Sequence, residues 1–321
     1  MCEPPCLATA TVLRMHSDHP TDDCPIGTPG WWAEPALPPA VAGLPDGSLS
    51  LREPPSPGAR FDPSVPHPAR VYDYWLGGKD HFPADRQVGE QVIRERPQVV
   101  AGARANRAFL ARVVRHLAAE RGIGQFLDIG TGLPSAANTH QVAQHVAPGA
   151  RVVYVDNDPL VLVHARALLT STRQGACDYL EADLRDPGAI LDKAAATLDF
   201  TQPVGVLLLA VLHFVPDTDY PAAITATLAA GLAPGSCLAI SHLTADLAPA
   251  QVTAAATAYN TATSTPVTPR THTQITGLFG SLPLLPPGVV PVSEWRTPAG
   301  ELAQPCDLYG GVARVPRRGR R

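Results

Sequence analysis

The sequence contains no apolar run approaching the roughly 18–20 residues that a membrane-crossing helix requires. Its first residues also lack the charged-then-apolar plan of a secretion signal, because prolines and acids interrupt them from Glu3 onward. Charge of one sign is missing too. Against 25 Lys and Arg stand 29 Asp and Glu, a net −4, which gives no electrostatic reason to expect a nucleic-acid or membrane partner. The short basic end, "RVPRRGRR", has no aromatic residue among its arginines and reads as a solvated terminus. No internal repeat is visible, and no nucleophile–His–acid order or metal-ligand spacing emerges between residues 59 and 315. These absences predict a cytoplasmic, soluble protein without a resident metal.

What is present is a core. Hydrophobic residues make up 45% of 321 positions, enough for one large domain or two small ones. Residues 1–58 are proline-crowded and carry almost no periodic apolar pattern, so they are expected to be a disordered extension. Cys2, Cys6 and Cys24, with His16 and His19, form a loose cluster there whose spacing fits no compact zinc finger. Cys177, Cys237 and Cys306 stand singly in apolar surroundings and are expected to be reduced, packed thiols.

After an irregular stretch, "PSVPHPARVYDYWLGGKDHF", helical patterns cover residues 84–96 and 100–120. The second is apolar at Ala105, Phe109, Val113 and Leu117, one face at helical spacing. Strands are then predicted over 125–129, 151–155, 178–181, 204–209 and 237–242. They alternate with helices over 135–146, 159–170, 189–197, 220–230 and 249–262. This alternation argues for a parallel sheet covered on both faces, doubly wound, with its ligand crevice at the carboxyl ends of the central strands. "GVVPVSEW" and "LYGGVARV" read as two closing strands at an antiparallel edge. The expected fold class is therefore α/β: a Rossmann-like, mostly parallel seven-stranded sheet with an antiparallel closing strand. Its expected divisions are an extension (1–58), an N-terminal helical cap (59–122), the α/β domain (123–315) and a basic tail (316–321).

The stretch "FLDIGTGLPSA" ends the first strand. Gly130 and Gly132 let the backbone turn tightly against a ligand, at the positive end of the helix that follows. With Ser135 they nearly satisfy the dinucleotide pattern G-x-G-x-x-G/A, which alone is a weak signal. Three acids discriminate better. Asp128 lies two residues before Gly130, where a pyrophosphate would be repelled. Asp156 ends the second strand in reach of a ribose diol, and Asp183 follows the third, where it could accept from an adenine amine. S-adenosylmethionine presents an ammonium, a sulfonium, a ribose diol and an adenine amine, and no phosphate. Helix capping or turn formation is the competing explanation for Asp156 and Asp183.

The run "FLDIGTGLPSAANTHQVAQHVAPGARVVYVDNDPLVLVHARALL" resembles the cofactor half of a class I S-adenosylmethionine-dependent methyltransferase. More narrowly, the chain resembles the bacterial S-adenosyl methyltransferase family, through "ARVYDYWLGGKDHFPADR", "ARANRAFLARVVRHLA", "LLLAVLHFVPD", "ISHLTAD" and "LYGGVARV". The likeness spans residues 61–315, although Pro134 stands where many such enzymes carry a third glycine. It implies a methyltransferase using S-adenosyl-L-methionine, with a small-molecule acceptor. It also implies Asp128, Gly130 and Gly132 near the methionine end, Asp156 on the ribose, Asn157 beside the adenine, and Asp183 on its amine with Leu184 packing nearby.

The dense segment 70–86 would then be a lid or floor over the cofactor, with Tyr74 at the site, or a cap packing its aromatics on the sheet. Arg104 or Asn106 would hold the methionine carboxylate, unless they are merely solvated on the helix surface. His213, ending the fourth strand, is the candidate general base, with a packing role in the cofactor shell as the alternative; His242, Tyr74 and His81 follow it. His140 reads as capping or packing. Arg270 reads as an exposed residue at a helix end, or as a contact to an anionic acceptor. Two other functions remain open: a non-catalytic S-adenosylmethionine-binding regulatory module, and an NAD(P)-dependent oxidoreductase.

Overall fold

The computed structural model describes residues 62–316 other than 169 and 299. The expected extension over residues 1–58, with its Cys/His cluster, and the basic tail beyond residue 316 lie outside the described residues. Three helices precede the first strand: α1 (Pro68–Leu76), α2 (Pro83–Glu95) and α3 (Val99–Arg121). The first corrects the expectation of an irregular stretch. Pro68 occupies the first helical turn, where its missing N–H costs nothing, and His67 caps it by accepting from Ala69 N at 3.3 Å. Gly77 ends the helix in the left-handed region, and a side chain at Gly78 would run into the Asp73 carboxylate. Asp85, fully buried, accepts from His67 N at 2.9 Å and Phe82 N at 2.8 Å, tying the start of α1 to the start of α2.

The βα units follow: β1 (Gln125–Ile129), α4 (Thr139–Val146), β2 (Arg151–Asp156), α5 (Pro159–Leu168), β3 (Ala176–Glu181) and α6 (Pro187–Ala194). Next come β4 (Gly205–Leu209), α7 (Pro221–Ala230), β5 (Cys237–Leu243), α8 (Pro249–Ala262), α9 (His272–Gly277), β6 (Val290–Pro291) and β7 (Leu308–Arg314). The seven strands form one sheet in the order β3-β2-β1-β4-β5-β7-β6, with β1 to β5 mutually parallel and β7 antiparallel to both of its neighbours. Chain direction across the sheet reverses between β1 and β4, so the crevice expected of a doubly wound sheet opens there.

Most of the expected helix at 135–146 is present, but α4 begins only at Thr139. Asn138 holds the preceding turn by accepting from Ser135 N at 3.1 Å and donating its own N–H to Gln141 Oε1 at 2.9 Å. Of the two closing strands, "GVVPVSEW" contributes only the two-residue β6. Its Trp295 is instead fully buried, edge-on to Phe109 of α3 at 5.5 Å.

The sheet is buried on both faces, which is why β4 reads as an unbroken apolar run, GVLLL. Phe126, Tyr154 and Leu207 pack with Phe109 and Leu117 of α3 on one side. Leu127, Val153 and Leu208 pack with Ile190, Leu228 and Ile275 on the other. A third cluster joins the cap to the domain: Val71, Val88 and Val92 meet Ala255, Ala256 and Tyr259 of α8. Cys177, Cys237 and Cys306 carry free thiols. Among the described residues, no helix is long and apolar enough to cross a membrane.

Candidate active site

A cleft of about 1410 Å³, its open mouth included, lies over the carboxyl ends of β1, β2 and β4. Asp128, Gly130, Thr131, Gly132 and Asp156 form its sheet end, and Pro68, Ala69 and Tyr72 of the cap face them. Leu209, Ala210, Val211 and His213 line its middle. The far end is apolar, walled by Trp75, Val92, Val99, Phe214 and the α8 residues Val252, Ala255, Ala256 and Tyr259.

The glycine turn is shaped as its sequence requires. Gly130 and Gly132 both have positive φ, +74° and +67°, and a side chain at Gly130 would overlap Val211. At Gly132 a Cβ would meet nothing closer than Ala69 at 4.0 Å, so the turn stands open toward the cap. Gly130 N donates to Val155 O at 2.8 Å and Gly132 N to Asp156 Oδ2 at 2.9 Å, which binds the turn to β2. Asp156 Oδ1 accepts from Asp158 N at 3.0 Å, and Asp158 in turn starts α5 by accepting from Leu160 N at 2.9 Å. Asp156 is thus a turn organiser as well as a wall of the cleft, and each of its oxygens keeps a lone pair.

Burial dominates the electrostatics of both acids. Burial pushes the Asp128 carboxyl up to about 6, while the Thr139 hydroxyl, which donates to it at 2.6 Å, and the Arg107 charge pull it down. Burial also raises Asp156, against the two backbone N–H groups that favour its ionised form.

A buried hydrogen-bond chain joins cap and sheet. Tyr72 Oη donates to Ala103 O at 3.0 Å, and Asn106 Nδ2 donates to Tyr72 Oη at 3.1 Å. Ser241 Oγ donates to Asn106 Oδ1 at 2.6 Å, and Ala210 N donates to Ser241 Oγ at 2.9 Å. Ala210 holds a left-handed φ of +54° just beyond β4, a strained backbone fixed by this chain at the rim of the cleft. Arg107 Nη2 donates to Ala136 O at 3.2 Å and Ala137 O at 3.1 Å, while its buried Nε has no hydrogen-bond partner among the described residues.

The histidines at the ends of β4 and β5 are neutral. Burial, then His242 and Arg270, hold His213 well below the ordinary imidazole value, and burial brings His242 down to about 3. His213 Nδ1 accepts from Leu243 N at 3.4 Å, so its proton sits on Nε2. Arg270 is not exposed, contrary to expectation. It is 3% accessible, donating to Leu212 O at 3.0 Å, Val215 O at 2.7 Å, His242 Nε2 at 2.7 Å and Asp217 Oδ1 at 2.7 Å. Arg270 thereby staples the turn after β4, where Leu212 O also accepts from Val215 N at 3.1 Å.

The family model described as S-adenosyl methyltransferase matches residues 55–316. The chain belongs to the S-adenosyl methyltransferase family. Among solved structures, the methyltransferase is similar to a DUF574 family protein from Streptomyces avermitilis MA-4680, at 45% identity and TM-score 0.76, covering 79% of this chain and 99% of that one. It is also similar to a candidate methyltransferase from Thermobifida fusca YX, at 39% identity and TM-score 0.73, covering 82% and 98%. No curated protein matches it. Its cofactor is S-adenosylmethionine, in keeping with the family and the Rossmann-like sheet.

In the methyltransferase, Asp128, Gly130, Gly132, Asp156, Asn106 and His213 all line one cleft. Others stand apart from its walls. Arg104 is exposed on α3, and Asn157 is exposed just past β2. Asp183, 46% exposed, accepts from Arg185 N at 2.8 Å and pairs with Arg185 Nη1 at 3.2 Å. Leu184 is buried in the sheet core. Tyr74 turns toward α2, its hydroxyl 3.4 Å from Glu90 Oε1 and its ring 5.2 Å from that of His81, whose Nδ1 lies 3.0 Å from Asp73 Oδ2. The aromatic residues of α1 that line the cleft are instead Tyr72 and Trp75. His140 is buried against Tyr154, in the packing role expected for it.

The sequence reading passed over Arg107, Tyr72 and the α8 wall. Helical spacing carried the signal. Ala103, Asn106, Arg107 and Leu110 recur at i, i+3, i+4 and i+7, as do Val252, Ala255, Ala256 and Tyr259, and each set lines the cleft. Among the described residues no group of three or more His, Cys, Asp or Glu could hold a metal ion.

Proposed function

We propose that the methyltransferase holds S-adenosylmethionine across the carboxyl ends of β1 and β2 and passes its methyl group to a small-molecule acceptor in the apolar end of the same cleft. The observation that carries this reading is the pair of buried, desolvated carboxylates, Asp128 and Asp156, flanking an open left-handed glycine turn. A ligand with an ammonium, a sulfonium and a ribose diol supplies what they lack, whereas a dinucleotide's pyrophosphate would add to the negative charge.

When bound, S-adenosylmethionine would supply a methyl group on a sulfonium: the acceptor atom's lone pair forms the new bond to carbon, the sulfur keeps the old bond's pair as a neutral thioether, and any proton on the acceptor atom leaves to water at the cleft mouth. The chain's contribution is placement. Asp128 takes the ammonium, Arg107 the methionine carboxylate and Asp156 the ribose hydroxyls, while Gly130 and Gly132 allow close approach. The adenine end would extend beyond the cleft wall toward Asn157, Asp183 and Leu184, where Arg185 must release Asp183 before it accepts from an amine. Asn106 spends its amide on the chain from Tyr72 to Ala210 and positions the rim of β4. His213 serves as an Nε2–H donor that orients the acceptor rather than as its base, because Nδ1 is already occupied. Residues 62–122 act as a cap that excludes water, and orientation of the reacting atoms at close range is worth roughly 7–11 kcal/mol at best. With a net charge of −4 and a cleft this enclosed, a nucleic-acid acceptor is disfavoured.

Calorimetric titration of the full chain with S-adenosylmethionine, S-adenosylhomocysteine and NAD tests the reading. The first two are expected to bind and NAD is not. Tight NAD binding with neither of the others would overturn it.

A further inference from the structure

The apolar end of the cleft has a chemistry of its own. Its only charged pair among the described residues is Arg96–Asp307, a two-point contact at 2.7 Å (Nε to Oδ2) and 2.9 Å (Nη2 to Oδ1) that joins the end of α2 to the start of β7. Because Asp307 holds Arg96 firmly in its charged form, the pair contributes no net charge to that wall. The cleft's other ionisable walls lie elsewhere: Asp128, Asp156 and Arg107 at the glycine turn, His67 at the start of α1, and His213 kept neutral by burial.

Apart from Gln98 and the Tyr259 hydroxyl, which is buried with no hydrogen-bond partner among the described residues, the remaining surface is aliphatic and aromatic. Trp75 from α1 has already committed its indole N–H to Gly89 O at 3.3 Å, so it offers ring surface. Phe214 and Tyr259, with ring centroids 6.1 Å apart, supply aromatic surface from the opposite elements. Val252 and Ala255 floor the space between. A net charge entering this end would lose its water and find no counter-charge, whereas a flat unsaturated ring would gain aromatic contact on more than one side. Arg96 lines the cleft, and its two bonds to Asp307 use Nε and Nη2, which leaves Nη1 outside that pair. It is available to a single neutral polar substituent.

We infer that the methyl acceptor is an uncharged aromatic small molecule, seated among Trp75, Phe214 and Tyr259 with its polar substituent toward Arg96. This rests on the cofactor placement proposed above only for the position of the reacting methyl; the seat itself is formed by different residues. An ionised acceptor, such as an amino acid, a nucleotide or a polyamine, does not fit it.

The test uses the full chain, with and without saturating S-adenosylhomocysteine, titrated at pH 7.5 with three probes of one shape: 2-naphthol (neutral), 2-naphthoate (anionic) and 2-naphthylmethylammonium (cationic). The expected result is binding of 2-naphthol at least about tenfold tighter than either ion. Ala255→Phe should abolish 2-naphthol binding while S-adenosylhomocysteine affinity stays within about twofold. Should that variant fold poorly, Ala256→Leu narrows the same floor and should weaken 2-naphthol selectively. Equal or tighter binding of either ion, or no binding of 2-naphthol to protein that binds S-adenosylhomocysteine, would overturn the inference. If 2-naphthol bound with the expected selectivity while S-adenosylhomocysteine did not bind, the cofactor placement would fail and the aromatic seat would stand.

Discussion

Replacing Asp128 with Asn should make the protein more stable and its cofactor affinity worse. In the folded chain this carboxyl is raised from 3.8 to about 6, chiefly by burial. A group whose folded value lies above its unfolded one binds more protons when folded. The protein should therefore lose stability as pH rises from about 4 to about 6 and carry the whole penalty above that. The rise corresponds to about 3 kcal/mol. Asn removes the penalty but turns the charge-assisted bond from Thr139, 2.6 Å long, into a neutral one, at a cost of about 1 kcal/mol. The net expectation is about 2 kcal/mol of added stability at pH 7.5, read by urea unfolding, and a flatter stability profile between pH 4 and 6. On the binding side, a lost charge-assisted contact to the cofactor ammonium is worth about 1.5–3 kcal/mol, roughly a 10- to 150-fold weaker S-adenosylhomocysteine complex by calorimetry. An Asp128→Asn protein that unfolds more easily than wild type at pH 7.5, or that binds the cofactor product as tightly, would refute the reasoning.

Asp156→Ala should weaken S-adenosylhomocysteine binding by about 2 kcal/mol or more, some thirtyfold, with a smaller loss of folding stability; unchanged affinity in a folded variant removes Asp156 from the site. Because burial, His242 and Arg270 suppress its protonation, His213 should remain neutral from pH 8 down to pH 5 with its proton on Nε2, as read by nitrogen NMR of the imidazoles. An apparent value near 6.5 would restore it as a candidate base. Arg270→Ala should destabilise the fold by about 3 kcal/mol or more in urea, since it strips donors from Leu212 O, Val215 O and His242 Nε2 at once. A loss under about 1 kcal/mol would show that the staple is dispensable.

The βα succession was legible because parallel strands buried on both faces must be nearly all apolar, and β1, β2 and β4 are. The residues at those strand tips were legible for a related reason: an acid that ends such an apolar run stands at the mouth of the sheet, where Asp156 both organises the turn and walls the cleft. Helix α1 was not legible. The nine residues between His67 and the Gly77–Gly78 pair look like a loop until His67 and Asp85 are seen to fix their start. Choosing Arg104 over Arg107 was a matter of helix rotation. Ala105, Phe109 and Val113 bury one face of α3, which leaves Arg104 in solvent and turns Arg107 to the cleft. Tyr74 and Tyr72 were exchanged for the same reason. Arg270 was unreadable for another, because its acceptors come from a loop more than fifty residues away in the chain. Asp183 and Asn157 occupy the expected strand ends, yet neither borders the cleft, and no pattern in the sequence distinguishes a side chain held by Arg185 from one free to meet a ligand.

The most direct measurement is a crystal structure of the protein grown with S-adenosylhomocysteine. The account predicts ribose hydroxyl oxygens within about 3 Å of Asp156 and the amino-acid end between Asp128, the Gly130–Gly132 turn and Arg107. An adenosyl group found elsewhere, or Asp128 and Asp156 both turned from it, would contradict the central claim.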